Sequence, residues 1–355
     1  MTTKNLFIFI ASVLLIVGCS LPVILEADTS PEESKLQIVW ERQPEKGYYQ
    51  GTPLVVGNTI FIGSSDEGMW AFDLQTGEPI WNCPIDEEIF APAAHFDGLI
   101  FVGDIRGVLY ALDAESGEEK WQFDTKGTID NSPSIDVQTK RVLIGSQKGI
   151  LYALESATGE KVWEYETDDQ IRCCPAIADR YCFVAGCDAH LHVVALDTGE
   201  EISRIPLDSP TGTTPLLVGD FAFVGTEGNE FLAVDWKQEK VLWRMESKQA
   251  IRSPAVYREG VVIFGGMDKT VYALDAMTGE ERWKYKTKGL IEGGAVLVGD
   301  RVYVPSMDSS LYVFDFRSGE LIDSIGLTGK LSTAPAVASD RIVIATDEGV
   351  LTGLQ

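Results

Sequence analysis

From Leu36 onward, hydrophobic and polar residues trade places in short runs, and no run there keeps apolar residues at i, i+3, i+4 and i+7 over a helix length. The runs come in fours. In the best-formed stretch they are Ser253–Tyr257, Val261–Gly266, Thr270–Asp275 and Arg282–Lys286, with Arg258-Glu259-Gly260 and Met277-Thr278-Gly279 as compact turns. β-branched and aromatic residues fill the runs and glycine-bearing turns divide them, which is the pattern of antiparallel hairpins. An all-β chain is expected.

The four-run unit repeats. YALDAESGEEKW at 110–121 returns as YALESATGEKVW at 152–163 and YALDAMTGEERW at 272–283. With Gly68, Gly107, Gly149, Ala189, Asn229, Lys269, Ser309 and Gly349 taken as equivalent, successive units start 39, 42, 40, 40, 40, 40 and 40 residues apart. Four strands in about 40 residues is the size of a propeller blade. Residues 36–67 and 349–355 are left over and together make one more unit. Leu36–Arg42 then supplies the outer strand of a blade whose other strands are Thr333–Ala338, Arg341–Thr346 and Val350–Leu354. The expected fold is an eight-bladed β-propeller of four-stranded blades, its ring closed by N- and C-terminal strands in one blade. Closure removes the open edge that a linear array would expose.

The N-terminus breaks this pattern. Lys4 precedes the apolar run Leu6–Val17, interrupted only by Ser12. As a helix that run is about 18 Å long, too short to span a bilayer but right for a secretory signal. Ile16-Val17-Gly18-Cys19 resembles a bacterial lipobox, so residues 1–18 are expected to be removed and Cys19 to be lipidated. Ser20, rather than Asp, after the cysteine suits sorting to the outer membrane, facing the periplasm. Residues 19–35 would form the lipidated tether, about 55 Å at full stretch, and residues 36–355 a single propeller domain.

Composition narrows the partners. The 355 residues carry 29 Lys plus Arg against 54 Asp plus Glu, a balance of −25. So acidic a protein gains nothing from phosphate counterion release, and no nucleic-acid partner is expected. A hydrophobic share of 45% permits a large core, and a monomer is expected.

The spacing Ala71-x-Asp73-x-x-Thr76-Gly77-x-x-x-Trp81, repeated at Ala273 to Trp283 and with small changes at Ala111 to Trp121 and Ala153 to Trp163, resembles the tryptophan-docking motif of pyrroloquinoline quinone (PQQ) repeat propellers. The resemblance covers essentially all of residues 36–355. It implies that Trp40, Trp81, Trp121, Trp163, Trp243 and Trp283 wedge between blades as structural residues, while Ser203 and Asp323 hold that register in the two blades without tryptophan. With the acidic balance and the lipobox, the chain is further similar to the BamB family of outer-membrane-assembly lipoproteins. That likeness implies a non-catalytic scaffold that docks to an envelope protein, the barrel-forming subunit of the assembly machinery, while its lipid holds the membrane. Another envelope protein- or polysaccharide-binding propeller is the alternative. The Cys/His cluster described next is outside what the family likeness leads one to expect.

Chemistry concentrates in one place. Cys173, Cys174, Cys182, Cys187, His190 and His192 fall within twenty residues and are candidate soft-metal ligands, though not at paired CxxC spacing. If Asp179-Arg180 is a hairpin turn, Cys174 and Cys187 share one face, and Cys173 and Cys182 the other. A Cys174–Cys187 disulfide fits that parity, a Cys173–Cys174 bond fits adjacency, and plain structural thiols fit as well. Quinoprotein dehydrogenases of the resembling family set a vicinal disulfide against PQQ and calcium, but the corresponding positions here, Ser132, Thr214, Ser253, Gly294 and Ala334, make Cys174 equally a small packing residue. No cofactor is expected; PQQ or a metal is the alternative. With no GxSxG elbow, Walker loop, HExxH or EF-hand spacing, no catalytic residue is assigned, and His95 reads as a lone side chain of an inner strand. The residue after the Ile that precedes each inner strand varies while the scaffold repeats: Phe90, Asp130, Arg172, Arg252 and Glu292. These are the candidates for recognition around one mouth of the channel.

Overall fold

The computed structural model describes residues 35–338 and 340–355; the expected signal peptide, Cys19 and the tether as far as Ser34 lie outside them. Thirty-two strands and no helix make up the described residues, arranged as eight four-stranded antiparallel sheets. Blade 1 consists of Tyr49–Val56, Thr59–Ser64, Gly68–Asp73 and Pro79–Cys83, running from the channel outward. Blades 2 to 7 begin at Ala94, Ser134, Ala176, Leu216, Val256 and Val296. Blade 8 joins Ala336–Ala338, Arg341–Ala345 and Leu351–Leu354 to Ile38–Arg42. Ile38 pairs with Leu354 and Arg42 with Leu351, while Gln37 and Gln355 exchange both backbone hydrogen bonds at 3.0 Å. The ring closes as the two half-repeats require.

The eight equivalent repeat starts share one backbone state. Gly68, Gly107, Gly149, Ala189, Asn229, Lys269, Ser309 and Gly349 all have φ between 62° and 96°. Each sits in the turn between the second and third strands, where the left-handed conformation reverses the chain, which is why glycine fills four of the eight stations. The turn between the third and fourth strands has its own chemistry. In blade 2, Asp113 Oδ1 accepts from the Glu115 and Ser116 N–H groups at 3.1 and 2.9 Å and from the Ser116 hydroxyl at 2.9 Å. The outer strand then starts in register.

Adjacent blades are bound through the outer tryptophans. Trp40, Trp81, Trp121, Trp163, Trp243 and Trp283 donate Nε1–H to the carbonyls of Leu74, Ala114, Ser156, Leu196, Ala276 and Phe316 in the following blade, at 2.8–3.1 Å. Each indole lies against the glycine of that blade's third turn: a Cβ on Gly117 would come within 2.6 Å of Trp81, and one on Gly159 within 2.5 Å of Trp121. At the ring closure Asp323 stands where the tryptophan would, and its Oδ2 accepts the Leu36 N–H at 2.9 Å. Between the sheets the core is apolar, and Phe231 and Phe264 stack across blades 5 and 6 with centroids 3.7 Å apart.

The inner strands are shorter than expected, Val256–Arg258 rather than Ser253–Tyr257 and Ala336–Ala338 rather than Thr333–Ala338. Pro254 and Pro335 occupy those entrances and have no N–H to give the ladder. The register there also shifts by one. A Cβ on Gly294 would lie 3.7 Å from both Ala334 and Pro254, so Pro254, not Ser253, is the equivalent of Cys174.

The two ends of the ring differ. The links into each inner strand lie beside the turns between second and third strands, as when Met267 N–H bonds the Ala250 carbonyl at 3.0 Å. The remaining turns gather on the opposite face, as when Trp236 N–H bonds the Asp220 carbonyl at 3.2 Å.

Candidate functional site

The link residues at the first face are placed by a repeated anchor. Ile89, Ile129, Ile171, Ile251 and Ile291 are buried, each against the glycine that ends a second strand; a Cβ on Gly265 would come within 2.0 Å of Ile291. Their N–H groups are also spent, as when Ile171 donates to the Ser146 carbonyl at 3.2 Å. The next residue is therefore turned out of the core at the face that carries the links: Arg172 and Arg252 are exposed there, and Phe90, Asp130 and Glu292 are half-buried.

The structure brings four of the five together in pairs. Arg172 Nε lies 3.3 Å from Asp130 Oδ2, which also accepts from Gln147 Nε2 at 2.7 Å. Arg252 donates to both carboxylate oxygens of Glu227, at 2.9 and 3.0 Å, and its other nitrogen is 3.6 Å from Glu292. Phe90 joins neither group. Both arginine side chains keep about half their surface, at 52% and 51%, so the pairs are open to a competing partner. Asp130 Oδ1 and the buried Asn131 Oδ1 beside it have no hydrogen-bond donor. Sequence reasoning missed Glu227 and Gln147, because both come from the turn between second and third strands rather than from the link.

The cysteines gather around Cys173, which lies within electrostatic reach of Cys174, Cys182 and Cys187. Cys173 is buried and its Sγ accepts the Ala185 N–H at 3.2 Å, a post that Thr213 and Thr333 fill in their own blades by bonding the carbonyls of Gly225 and Ala345. Burial pushes the Cys173 thiol up to about 12 and holds that of Cys182 well above its ordinary value. Cys187 is half-buried; burial raises its thiol, opposed by the Arg172 guanidinium. Cys174 gives its N–H to Thr214 Oγ1 at 3.1 Å. Cys173, Cys182 and Cys187 carry free thiols, so neither the Cys173–Cys174 nor the Cys174–Cys187 bond is formed.

The histidines belong to the scaffold. His192 is fully buried, with Nε2 2.9 Å from Asp188 Oδ2 and Nδ1 2.9 Å from the Tyr165 hydroxyl, while His190 Nδ1 meets the Asp188 carbonyl at 2.7 Å. Burial works to raise the Asp188 carboxyl, but the His192 hydrogen bond and charge hold it below its ordinary value. The same station elsewhere is an Asp–Tyr pair, Asp268–Tyr272 at 2.7 Å and Asp308–Tyr312 at 2.8 Å. His95 lies half-buried in the inner strand Ala94–Phe96, where burial lowers its pKa. Among the described residues no three His, Cys, Asp or Glu side chains are placed to share a metal ion.

The family model described as outer membrane protein assembly factor BamB matches residues 23–83, 84–216, 187–290 and 267–355. The outer membrane protein assembly factor BamB of Burkholderia pseudomallei (strain K96243) is 24% identical over 262 residues, covering 69% of this chain and 68% of that one. The crystal structure of BamB from Moraxella catarrhalis superposes with a TM-score of 0.76 at 21% identity, over 91% of this chain and 98% of that one. The quinohemoprotein alcohol dehydrogenase ADHIIG of Pseudomonas putida HK5 shares the fold at a TM-score of 0.74 and 13% identity, over 90% of this chain and 76% of that one.

Proposed function

The chain belongs to the BamB family of outer membrane protein assembly factors, and from that premise we propose that it is a non-catalytic, lipid-anchored scaffold of the cell envelope that binds other envelope proteins through its channel mouth. The supporting observation is the break in periodicity at one place: Asp130–Arg172 and Glu227–Arg252–Glu292 are blade-specific ion pairs on anchors that otherwise repeat. Exposed pairs of this kind contribute little to folding but set register and partner choice when a complementary surface replaces one member. The partner in this reading is a barrel-forming subunit with periplasmic domains, and the anchor is lipid on Cys19.

Affinity purification from native envelopes in mild detergent, with the tag after Gln355, tests it. A stoichiometric barrel subunit should co-purify with the wild type and be lost from an Arg172→Glu/Arg252→Glu variant of unchanged melting temperature. Recovery without any such subunit, or equal capture by the variant, overturns the reading.

A further inference from the structure

We propose that the outer rim of blade 6 docks onto an anionic lipid bilayer. Its outer strand, Glu281–Lys286, carries Arg282, Lys284 and Lys286 at alternate positions, and Lys288 follows; all four are exposed. Alternation puts the first three on one side of the sheet. The opposite set is committed to blade 7, where Trp283 Nε1 bonds the Phe316 carbonyl at 3.0 Å and Tyr285 packs on Phe314 with centroids 4.8 Å apart. Lys269 adds a cation at the end of the same hairpin, its carbonyl accepting the Thr287 N–H at 2.9 Å. At the equivalent stations blade 3 has Val162, Glu164 and Glu166, and blade 7 has Ile322, Ser324 and Gly326. Among the described residues only blade 6 presents three cations there.

Arg282, Lys284 and Lys288 are available. Lys284 meets Glu281 at 2.9 Å and Arg282 meets Asp275 at 2.5 Å, with the Lys284 and Arg282 side chains 57% and 56% exposed. Exposed pairs are readily exchanged for phosphate. Lys288 makes no ion pair among the described residues, whereas Lys286 Nζ donates to the Asp268 carbonyl and, at 3.4 Å, to Thr270 Oγ1, so it adds charge to the patch but is held within its own blade. The balance of −25 does not prevent docking, because at physiological salt charges more than about 8 Å from the contact are largely screened.

Position selects the lipid surface over an acidic polypeptide. Leu36, where the described chain enters the ring, is bonded to Asp323 of blade 7, next to blade 6. Cys19, proposed above to carry lipid, stands seventeen residues before Leu36. The bilayer that holds such an anchor is the anionic surface nearest these cations, and an acyl chain with a basic patch is the usual two-part membrane signal. The propeller would stand on its rim, leaving both ends of its channel clear. This goes beyond the scaffold reading and shares with it only the lipid on Cys19.

The test uses the chain from residue 19 onward with Cys19→Ser, so that no acyl chain is attached, sedimented with phosphatidylglycerol-rich or pure phosphatidylcholine vesicles at low and physiological salt. Binding is expected only to the anionic vesicles and should weaken with salt. A Lys284→Gln/Lys288→Gln variant should melt like the wild type and lose at least about tenfold in partitioning, each lysine being worth roughly fivefold at such a surface. No binding at low salt, equal binding to phosphatidylcholine, or equal binding by the variant overturns the proposal. So does retention of poly-glutamate by these lysines with no vesicle binding. None of these outcomes depends on the mouth arginines, so the scaffold reading fails or survives separately.

Discussion

Trp236 lies edge-on to Phe183 with ring centroids 5.1 Å apart, and so supplies from blade 5 an aromatic contact that blade 4, with Ser203 in its outer strand, does not make for itself. In blades 1, 2 and 5 the equivalent phenylalanine meets the tryptophan of its own outer strand: Phe61 with Trp81 and Phe101 with Trp121 at 5.7 Å, Phe223 with Trp243 at 6.0 Å. One departure from the repeat, Ser203, is answered by another, Trp236, 33 residues further along the chain.

Trp236→Ala should therefore destabilise as much as losing a docking tryptophan, about 3–5 kcal/mol by analogy with buried aromatic truncations. Trp283→Ala belongs in the same range. Denaturant unfolding of both variants measures this, and a loss under about 1 kcal/mol in either contradicts the assigned packing.

Gly159 combines φ of 73° with a Cβ direction that ends 2.5 Å from Trp121. Gly159→Ala should cost about 1–3 kcal/mol from backbone strain alone, with ring displacement added. Gly57, with φ of 60° and nothing within 4 Å, is the control. Thermal melts should place Gly159→Ala clearly below Gly57→Ala.

The thiols should react in an order set by burial. Cys173 and Cys182 are buried, with Cys173 pushed up to about 12, so neither should be thiolate near neutral pH. Timed labelling with mass mapping should find Cys187 modified in the native protein, and Cys173 and Cys182 only on unfolding. Early modification of Cys173 would contradict its bond to the Ala185 N–H.

Asp188 gives a pH signature. Its folded carboxyl is held below the ordinary value of 3.8, so its contribution to stability is complete above that value and is lost as pH falls through the lower, folded one. Asp188→Asn should lower the melting temperature at neutral pH and flatten its decline in acid. Parallel wild-type and variant curves from neutral to acid pH would show that His192 is held by other groups.

Much of this architecture was legible because its determinants recur. Glycine, or a residue tolerating the left-handed turn, returns at a fixed interval, and so does the Thr/Ser-Gly turn that receives an indole. The half-repeats at Leu36–Arg42 and Val350–Leu354 needed only to be matched. The entrance at Ser253 was misplaced because a three-residue inner strand carries too little alternation to fix register, and Pro254 decides it instead. Trp236 was invisible for a different reason: its partner, Phe183, belongs to the preceding blade. The mouth followed the same division. Asp130, Arg172, Arg252 and Glu292 share a link position legible in the sequence, whereas Glu227 and Gln147 come from turns that only the folded ring brings alongside.

The pairing of Ile38 with Leu354 also fixes an order of events. During synthesis Ile38 emerges long before Leu354, so Ile38–Arg42 must wait unpaired while seven blades form from neighbouring segments. Until Leu351–Leu354 arrive, the nascent ring keeps two raw borders, one on blade 1 and one on the growing side. Local hairpins can assemble quickly, but joining segments so remote in sequence is the slow entropic step. Delay there would favour contact between incomplete copies, and a strand that seals the ring is also the timer of its maturation.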